Sequence, residues 1–292
     1  MKIPRKKLKN GFEMPEYGLG TWQMGGRHER DQMNDDRADI LAIQNAIEKG
    51  VTHIDTAEMY ANGHSEELIA TAILDKNINR ENLFIVSKVP GEHQGYEGVI
   101  NACRGSLKRL NTDYLDLYLL HDYDVDDFPL RDTIKALCEL KEMGLVRNIG
   151  VSNFGVEHLK EAQTYSRYPI VCNQVHYNLR VREAEHSGLL KYCQENDVMA
   201  VAYRPIEKAN ILDKTPAIIE EICKKYNKTF AQVAINWLIS QSNVVTISKT
   251  RSLEHLNENL GAIGWYMERE DIERLRREFP DQKNVSDVIA LG

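Results

Sequence analysis

The chain carries three titratable side chains at a constant interval, each closing a short apolar run. Asp55, Lys88 and His121 lie 33 residues apart, and Tyr60 follows the first of them by five residues. An unperturbed tyrosine has a pKa of about 10, so proton transfer near neutrality needs help from its surroundings. A neighbouring ammonium lowers that pKa, and Lys88 could supply it while Asp55 holds the lysine in place and charged. Together the four residue types could carry out general acid–base catalysis.

The apolar runs that lead into these residues have the character of buried strands. They are short, rich in β-branched residues and bounded by turn residues, which is typical of parallel strands buried on both faces. Eight such runs predict strands over residues 17–21, 51–55, 83–88, 115–121, 148–153, 171–174, 199–203 and 244–249.

Stretches with helical periodicity separate the strands. Phe230, Val233 and Trp237 would share one face of a helix, and Thr229 followed by Gln232 forms a capping-box start for it. Eight strand–helix units in this chain of 292 residues fit a (β/α)8 barrel. Periodicity alone leaves an open doubly wound sheet as the alternative, whereas helical solenoids of similar repeat length mostly lack a strand in each unit.

Three further segments complete the predicted architecture, an α/β TIM barrel that forms a single domain over residues 1–292. Residues 6–14, with Asn10-Gly11 at their centre, predict a β-hairpin with a type I′ turn that would close the bottom of the barrel. An extra helix is predicted over residues 216–226, after the seventh strand, and another follows Trp265 near the C-terminus.

The composition restricts the classes of partner. The chain has 37 Lys and Arg against 44 Asp and Glu, a net charge of −7, which gives no reason to expect nucleic acid or an anionic membrane as a partner. Its five cysteines are scattered and form no C-x-x-C pair, so neither a metal site nor a disulfide framework is predicted. No run approaches 18 apolar residues, and the basic start is not followed by an apolar run, so we expect a cytoplasmic protein.

The polar strand ends of a parallel barrel face one mouth, where the loops converge and catalytic groups gather. A single polar residue at a strand end would ordinarily be a solvated charge. Seven strands here end in polar or aromatic residues, and this number favours a site: Asp55, Lys88, His121, Asn153, Gln174, Tyr203 and Lys249.

Several of these segments resemble the aldo-keto reductase superfamily. Residues 53–60, with the sequence HIDTAEMY, are followed by Asn62-Gly63 and Ser65-Glu66 and are similar to the family's D-T-A-x-x-Y-x-N-E signature with an altered tail. The runs IVSK at 85–88, LLH at 119–121 and IGVSNF at 149–154 match other family segments in order and spacing. The match covers nearly the whole chain.

The resemblance implies an NAD(P)H-dependent reductase of aldehydes and ketones, in which four residues form a tetrad beside the nicotinamide. Tyr60 would donate a proton to the substrate oxygen as hydride arrives at carbon. Lys88 paired with Asp55 would tune Tyr60, and His121 would orient the carbonyl. The small-molecule carbonyl substrate would lie among Trp22, Tyr60, His121 and Asp122, and we expect a monomer.

The resemblance also implies the coenzyme residues. Ser152, Asn153 and Gln174 match positions that bind the nicotinamide amide, and Tyr203 matches the aromatic residue that stacks on its ring. The absence of G-x-G-x-x-G agrees with a nucleotide bound on a barrel rather than on a Rossmann domain. Further coenzyme contacts are expected from Gly20, Thr21, Trp22, Asp55, Arg204, Ile206, Lys249, Thr250, Arg251, His255, Glu258 and Asn259.

The loop expected to grip the adenosine end departs from the family pattern. Many NADPH-preferring members carry arginine at the position of His255, and Arg251 could compensate because a guanidinium suits a phosphate. Arg251 could equally be a solvated loop charge. Arg204 stands where many members have serine, and it could reach the pyrophosphate. NADPH is the favoured coenzyme, with NADH as the alternative.

Three segments expected around the mouth bear on substrate choice but do not identify the substrate. The acidic loop 122–127 would disfavour anionic substrates by like-charge repulsion, or it is simply a solvated loop. The polar insertion 24–36 is either a mobile lid or a long loop. The residues after the terminal helix are too few for the long pocket-covering tail of some family members.

Two other functions remain alternatives. One is a nucleotide-binding regulatory barrel without significant turnover, against which the intact tetrad argues. The other is an unrelated barrel enzyme, such as an isomerase or aldolase, that uses Lys88 as a Schiff-base lysine. Asp55 is placed to keep Lys88 protonated, which argues against this second alternative.

Overall fold

The chain forms a closed parallel barrel preceded by a small hairpin. A computed structural model describes residues 1–122, 128–206 and 216–292. Strands β1 (Arg5–Lys7) and β2 (Glu13–Pro15) form the antiparallel hairpin. The barrel consists of β3 (Tyr17–Gly20), β4 (His53–Asp55), β5 (Phe84–Val89), β6 (Leu117–Leu120), β7 (Ile149–Ser152), β8 (Ile170–His176), β9 (Met199–Tyr203) and β10 (Val244–Ser248). Because β3 pairs with β10, the ring is closed, and the predicted (β/α)8 barrel is confirmed over an open sheet.

The helices follow the strands and bury apolar faces in the layer outside the barrel. The predicted extra helix after the seventh barrel strand is α8, and the predicted C-terminal helix is α11. No helix within the described ranges combines the length and apolarity needed to cross a membrane. The helices are α1 (Asp36–Glu48), α2 (His64–Asp75), α3 (Tyr96–Leu110), α4 (Leu130–Glu142), α5 (Val156–Tyr165), α6 (Glu183–His186), α7 (Leu189–Glu195), α8 (Ala217–Tyr226), α9 (Phe230–Ile239), α10 (Leu253–Leu260) and α11 (Arg269–Glu278), with short 3-10 turns at Tyr60–Gly63, Arg80–Asn82 and Gly91–His93.

Local sequence signals set several helix ends. The predicted capping box of α9 is present, with Thr229 and Gln232 each bonded to the backbone of the other. Helix α1 ends in a Schellman motif: Gly50, at φ +100°, donates its N–H to the Ile47 carbonyl, and Val51 donates to the Ala46 carbonyl.

The hairpin closes the bottom of the barrel, as predicted. Its buried residues Leu8, Phe12 and Met14 join the apolar side chains that fill the barrel interior. The rings of Phe12 and Phe84 lie 6.2 Å apart, edge to face, at the N-terminal end of β5.

The turn of the hairpin differs from the predicted type I′. Gly11 has a φ of +93°, but Asn10 is not in the left-handed region, and a type I′ turn requires both. The Gly11 N–H donates to the Leu8 carbonyl at 3.1 Å, and the Leu8 N–H donates to the Phe12 carbonyl at 2.8 Å. The connection is therefore a three-residue loop in which Gly11 alone needs the conformational freedom of glycine.

Lys6 ties the hairpin to the last strand–helix unit. Its ammonium donates to three backbone carbonyls, those of Ile239 at 2.6 Å, Gln241 at 2.5 Å and Val244 at 2.5 Å. Burial lowers the pKa of Lys6 to about 8, and the nearby carboxylate of Glu16 opposes that shift. One side chain thus satisfies carbonyls at the end of α9 and the start of β10.

His53 lies inside the barrel, two residues below Asp55. It is fully buried, and neither ring nitrogen has a hydrogen-bond partner among the residues that the structure describes. Its ring lies across Gly18 of the neighbouring strand, where an added Cβ would be 2.5 Å from Nδ1. Burial lowers the pKa of His53 to about 4, so the ring is neutral at neutral pH.

Candidate active site

Asp55, Lys88 and Tyr60 meet at the C-terminal end of the barrel. Asp55 ends β4, and Lys88 lies near the end of the adjacent strand β5. The Lys88 ammonium donates to Asp55 Oδ1 at 2.6 Å, to the Thr56 carbonyl at 2.7 Å and to the Tyr60 hydroxyl at 3.5 Å. The side chains of Lys88 and Asp55 are 0% and 1% exposed, so this ion pair is shielded from water.

Burial dominates the ionisation of this cluster. It raises the pKa of Tyr60 above its usual range, and the Lys88 ammonium offsets that effect only in part. The net lowering that the sequence suggested is therefore wrong, because the sequence shows the cation but not the cost of burial. Burial alone would lower the pKa of Lys88, but contact with Asp55 and Tyr60 raises it, so Lys88 stays charged.

Tyr60 lies on a strained loop between β4 and α2. The three residues after it, Ala61, Asn62 and Gly63, have φ of 52°, 54° and 83°. Each left-handed non-glycine residue costs roughly 1–2 kcal/mol, so such a run persists only where the surroundings enforce it. The Ala61 N–H donates to the Arg27 carbonyl at 2.6 Å. The loop thereby holds Tyr60 in one position.

His121 follows β6 and faces Tyr60 across the mouth. The two ring centroids are 5.5 Å apart. Burial, together with the charges of Lys88 and His28, lowers the pKa of His121 well below its usual range. The imidazole is therefore neutral, and it can donate a hydrogen bond to a carbonyl oxygen without carrying charge.

Gln174 holds the second oxygen of the Asp55 carboxylate. Its Nε2 donates to Asp55 Oδ2 at 2.8 Å, while Lys88 occupies Oδ1. The Ser152 hydroxyl donates to the Gln174 backbone carbonyl at 2.9 Å. Among the described residues Gln174 Oε1 has no hydrogen bond, so it is available to a ligand amide.

Asn153 connects the His121 loop to Tyr203. Its Nδ2 donates to the His121 carbonyl at 3.2 Å, and its Oδ1 accepts the Tyr203 hydroxyl at 3.0 Å. Asn153 has a φ of 60°, which asparagine tolerates better than most residues. The Tyr203 ring is stacked on His176, with centroids 5.3 Å apart and an interplanar angle of 11°. A flat ligand ring can therefore stack only on the opposite face of Tyr203.

The segment after β3 supplies one wall of the mouth. Gly20 ends the strand, and the Thr21 N–H donates to the Asp55 carbonyl at 2.9 Å. The Trp22 ring lies 4.9 Å from Tyr60 and 5.1 Å from His28, in both cases edge to face. Sequence reasoning missed His28, although its position in the segment after β3 was a signal, since loops after barrel strands lie at the mouth.

The predicted adenosine-side residues form one loop–helix unit after β10. Lys249 is exposed, and Ser252 caps α10 by accepting the His255 N–H at 3.2 Å. The Thr250 hydroxyl accepts the Ser252 N–H at 3.0 Å. Asn259 donates from Nδ2 to the Ser248 hydroxyl at 3.1 Å. Partly buried Glu258 lies beside Asn259 on the same helix.

Arg251 is held by a buried carboxylate. Its guanidinium binds both oxygens of Asp39, with an Nη2–Oδ2 distance of 2.9 Å, and also donates to Asn34 Oδ1 at 2.8 Å and the Gln23 carbonyl at 3.0 Å. The alternative of a merely solvated loop charge is therefore wrong. Asp39 also accepts the Gly25 N–H at 3.0 Å, so the polar insertion 24–36 is tied to α1 and to the loop after β10.

Three other predicted site residues lie around the rim. Arg204 is exposed with a φ of 56°, and its carbonyl accepts the Asn178 side chain at 2.9 Å. Ile206 is half-buried, as is Asp122, whose carbonyl accepts Gln94 Nε2 at 2.6 Å. The rest of the acidic loop, residues 123–127, lies outside the described residues.

The short segment after α11 returns to the mouth, which the sequence did not predict. The Gly292 N–H donates to the Asn153 carbonyl at 3.3 Å, and the Gly155 N–H donates to the Gly292 carbonyl at 2.6 Å. Ser286 is bonded to His176 Nδ1 at 2.8 Å, and Glu183 accepts the Ser286 N–H at 2.8 Å.

Comparisons with known proteins identify the family. A family model described as Aldo/keto reductase family matches residues 16–277. The chain is 35% identical to methylglyoxal reductase YeaE of Escherichia coli strain K12, covering 95% of each protein. It is 36% identical to glyoxal reductase of Bacillus subtilis strain 168, covering 92% of this chain and 90% of that protein.

Solved structures give the same result. The thermostable aldo-keto reductase Tm1743, in complex with the inhibitor epalrestat, superposes with a TM-score of 0.89 at 43% identity, covering 94% of this chain and 99% of that one. An aldo-keto reductase from Klebsiella pneumoniae in complex with NADPH has a TM-score of 0.83 at 34% identity, covering 98% of both chains. The chain therefore belongs to the aldo/keto reductase family and is an NAD(P)H-dependent oxidoreductase that acts on carbonyl groups.

Proposed function

We propose that this protein reduces small aldehydes and ketones with NADPH, using Tyr60 as the general acid. The observation that supports this most directly is the Lys88 ammonium, which contacts both Asp55 Oδ1 at 2.6 Å and the Tyr60 hydroxyl at 3.5 Å in a buried setting. Two similar proteins are named as reductases of small dicarbonyl compounds, glyoxal and methylglyoxal.

The four residues have distinct roles in this proposal. The raised pKa keeps Tyr60 protonated until the substrate oxygen gains negative charge, and then its proton moves to that oxygen. Lys88 stabilises the phenolate that remains, and Asp55 keeps the ammonium charged and in place. The neutral imidazole of His121 donates a hydrogen bond that orients the carbonyl.

The mouth has groups that fit a nicotinamide coenzyme, which when bound supplies the hydride. Gln174 Oε1 could accept the carboxamide N–H, and the open face of Tyr203 could stack on the ring. Ser152 is bonded to the Gln174 carbonyl and Asn153 to the Tyr203 hydroxyl, so these hydroxyl and amide groups already order the site. Gly20, Thr21 and Trp22 would border the ring from the other side.

We assign NADPH preference to the unit after β10. The Lys249 ammonium, His255 and the backbone N–H groups of the first turn of α10 could together hold a 2′-phosphate. Arg251 would reach a phosphate only by leaving Asp39. Measured dissociation constants for NADPH and NADH test the preference, and clearly tighter NADH binding would overturn it.

A panel of aldehydes and ketones, each assayed with both coenzymes, tests the activity. Tyr60→Phe should lower kcat/KM by about 10²-fold or more while NADPH still binds. Tyr266→Phe, at a residue that is 84% exposed, should behave as the wild type. Wild-type turnover in Tyr60→Phe would remove Tyr60 from the central role, and absence of turnover in the wild type would favour a regulatory nucleotide-binding barrel.

Borohydride trapping tests the alternative that Lys88 forms a Schiff base with the substrate. Asp55 keeps Lys88 protonated, and a protonated amine does not attack a carbonyl. Borohydride should therefore trap no substrate on Lys88.

We also propose that the protein is a cytoplasmic monomer. Light scattering of the purified protein tests the oligomeric state and would reveal a larger assembly.

A further inference from the structure

His28 lies on a small closed turn at the edge of the mouth. The Asp31 N–H donates to the Gly25 carbonyl at 2.9 Å, and Gly26 pairs with Arg30 as an antiparallel bridge. Gly26 has a φ of +140°, and a Cβ there would lie 2.2 Å from the Glu29 carbonyl oxygen, so only glycine fits. The conformation of the turn is therefore fixed by its own backbone contacts and by Gly26.

The same turn is anchored to the loop that carries the proposed acid. The Arg27 carbonyl accepts the Ala61 N–H at 2.6 Å, one residue after Tyr60. The segment that precedes it is fixed by Asp39, which accepts the Gly25 N–H at 3.0 Å. His28 is thus held at a defined place relative to Tyr60.

The rings of His28, Trp22, Tyr60 and His121 form one continuous wall. Successive centroids are 5.1, 4.9 and 5.5 Å apart. A substrate whose carbonyl lies between Tyr60 and His121 would extend along this wall toward His28.

The turn is rich in positive and potentially positive groups. Within the described residues Arg27 forms no ion pair, and Arg30 is paired with Asp36 at 3.7 Å. Glu29 is exposed on the same turn and Asp122 follows His121, so carboxylates also lie nearby. His28 is the residue of the turn whose ring is part of the wall. Its imidazole can offer an N–H or a positive charge to the end of a substrate that lies farthest from Tyr60.

We propose that His28 is a specificity-determining residue that favours carbonyl substrates bearing a carboxylate or another anionic group. This inference rests on the proposed carbonyl reduction at Tyr60. The preference for anionic substrates is opposite to the effect expected from the acidic loop that begins at Asp122, which would disfavour them. The two effects can therefore be separated by experiment.

The test compares 4-carboxybenzaldehyde with its neutral methyl ester at pH 7 and low ionic strength. The measured quantity is the ratio of the two kcat/KM values, for the wild type and for His28→Lys, His28→Gln and His28→Glu. We expect the ratio to be highest for Lys and lowest for Glu, with a spread of about five-fold or more, the effect of unit charges near a protein surface. Salt at 0.5 M should compress the spread, because exposed charges are screened.

The same three substitutions at His186, an exposed residue of α6, serve as matched controls and should leave the ratio unchanged. If the wild type reduces the ester and the ratio is the same in all His28 variants, the inference is overturned while the proposed function stands. If the wild type reduces neither aldehyde with either coenzyme, both fail together.

Discussion

The side-chain amide of Gln174 donates a 2.8 Å hydrogen bond to the one oxygen of Asp55 that Lys88 leaves unoccupied. The sequence assigned Gln174 to the coenzyme, and the geometry gives it a second task. It fixes the orientation of the carboxylate that keeps Lys88 next to Tyr60. In the proposed mechanism, coenzyme binding and acid catalysis would therefore depend on the same side-chain amide.

Replacing Gln174 should therefore impair catalysis as well as coenzyme binding. Gln174→Leu removes a hydrogen bond to a buried charge, and we expect kcat to fall by about ten-fold, the equivalent of roughly 1.5 kcal/mol. The kcat of Gln174→Glu should fall further, because this substitution places a second carboxylate beside Asp55. Steady-state kinetics at saturating NADPH separates kcat from coenzyme affinity. A wild-type kcat in Gln174→Leu would show that Asp55 needs no such support.

His53 should make the fold sensitive to mild acid. Its pKa is lowered from 6.5 to about 4, so the unfolded chain binds the proton more readily than the native barrel does. The unfolding free energy should therefore fall as the pH drops from 6.5 toward 4, by up to about 3 kcal/mol from this group. Urea unfolding at pH 7, 5.5 and 4.5 measures the slope.

The matched variants for this prediction are His53→Leu and His186→Asn. The first should lessen the pH dependence without abolishing it, because the lowered pKa of His121 acts in the same direction, and the second, at an exposed residue, should leave it as in the wild type. An unchanged slope in His53→Leu would assign the acid sensitivity to other groups.

Lys6→Met should destabilise the barrel by about 2 kcal/mol, because three backbone carbonyls lose their donor and are only partly reached by water. Lys7→Met is the matched control, since Lys7 is exposed on the same strand of the hairpin. Urea unfolding of both variants tests the difference. Equal stability of the two variants would mean that solvent replaces the Lys6 ammonium at no cost.

Substitutions of Arg251 and Lys249 should differ in their effects, the first lowering the unfolding free energy and the second changing the coenzyme preference. Arg251→Met removes the cation paired with the buried carboxylate of Asp39, which keeps only the Gly25 and Asn34 donors, so we expect a loss of about 2 kcal/mol in unfolding free energy. Lys249→Met should cost little stability but weaken NADPH binding about ten-fold relative to NADH. Calorimetric titration with both coenzymes gives the ratio. The reverse pattern would mean that Arg251 leaves Asp39 to bind the phosphate.

Most of the fold was predictable, because the barrel strands are short apolar runs and most are followed closely by a polar residue. All eight predicted strands overlap the observed ones, and Asp55, Lys88 and Tyr60 meet as expected. The hairpin turn was less predictable. Asn-Gly is compatible with two loop geometries, and packing of Leu8 and Phe12 into the barrel selects the longer one.

The features that were missed are polar contacts between distant loops. The pairing of Arg251 with Asp39 joins residues 212 positions apart, and no periodic pattern marks such a contact. The same holds for the return of the C-terminal residues to Asn153. The edge-to-face contact of His28 with Trp22 is local, but it depends on the closed turn that carries His28. The net pKa of Tyr60 was misjudged for a related reason, since burial is a property of the whole fold.

The junction of β3 with β10 has a consequence for how the barrel forms. Tyr17 of β3 contacts Ser248 of β10, and two further polar contacts close the ring beside this strand pair, Asp39 of α1 with Arg251 and Lys6 of β1 with Val244. Each contact spans more than 200 residues of chain. Contacts so distant in sequence carry the largest loop-closure entropy, so we expect them to form after the rest of the barrel. Weakening this junction should therefore speed unfolding more than it slows refolding. The junction that completes the circle would then set the lifetime of the native state.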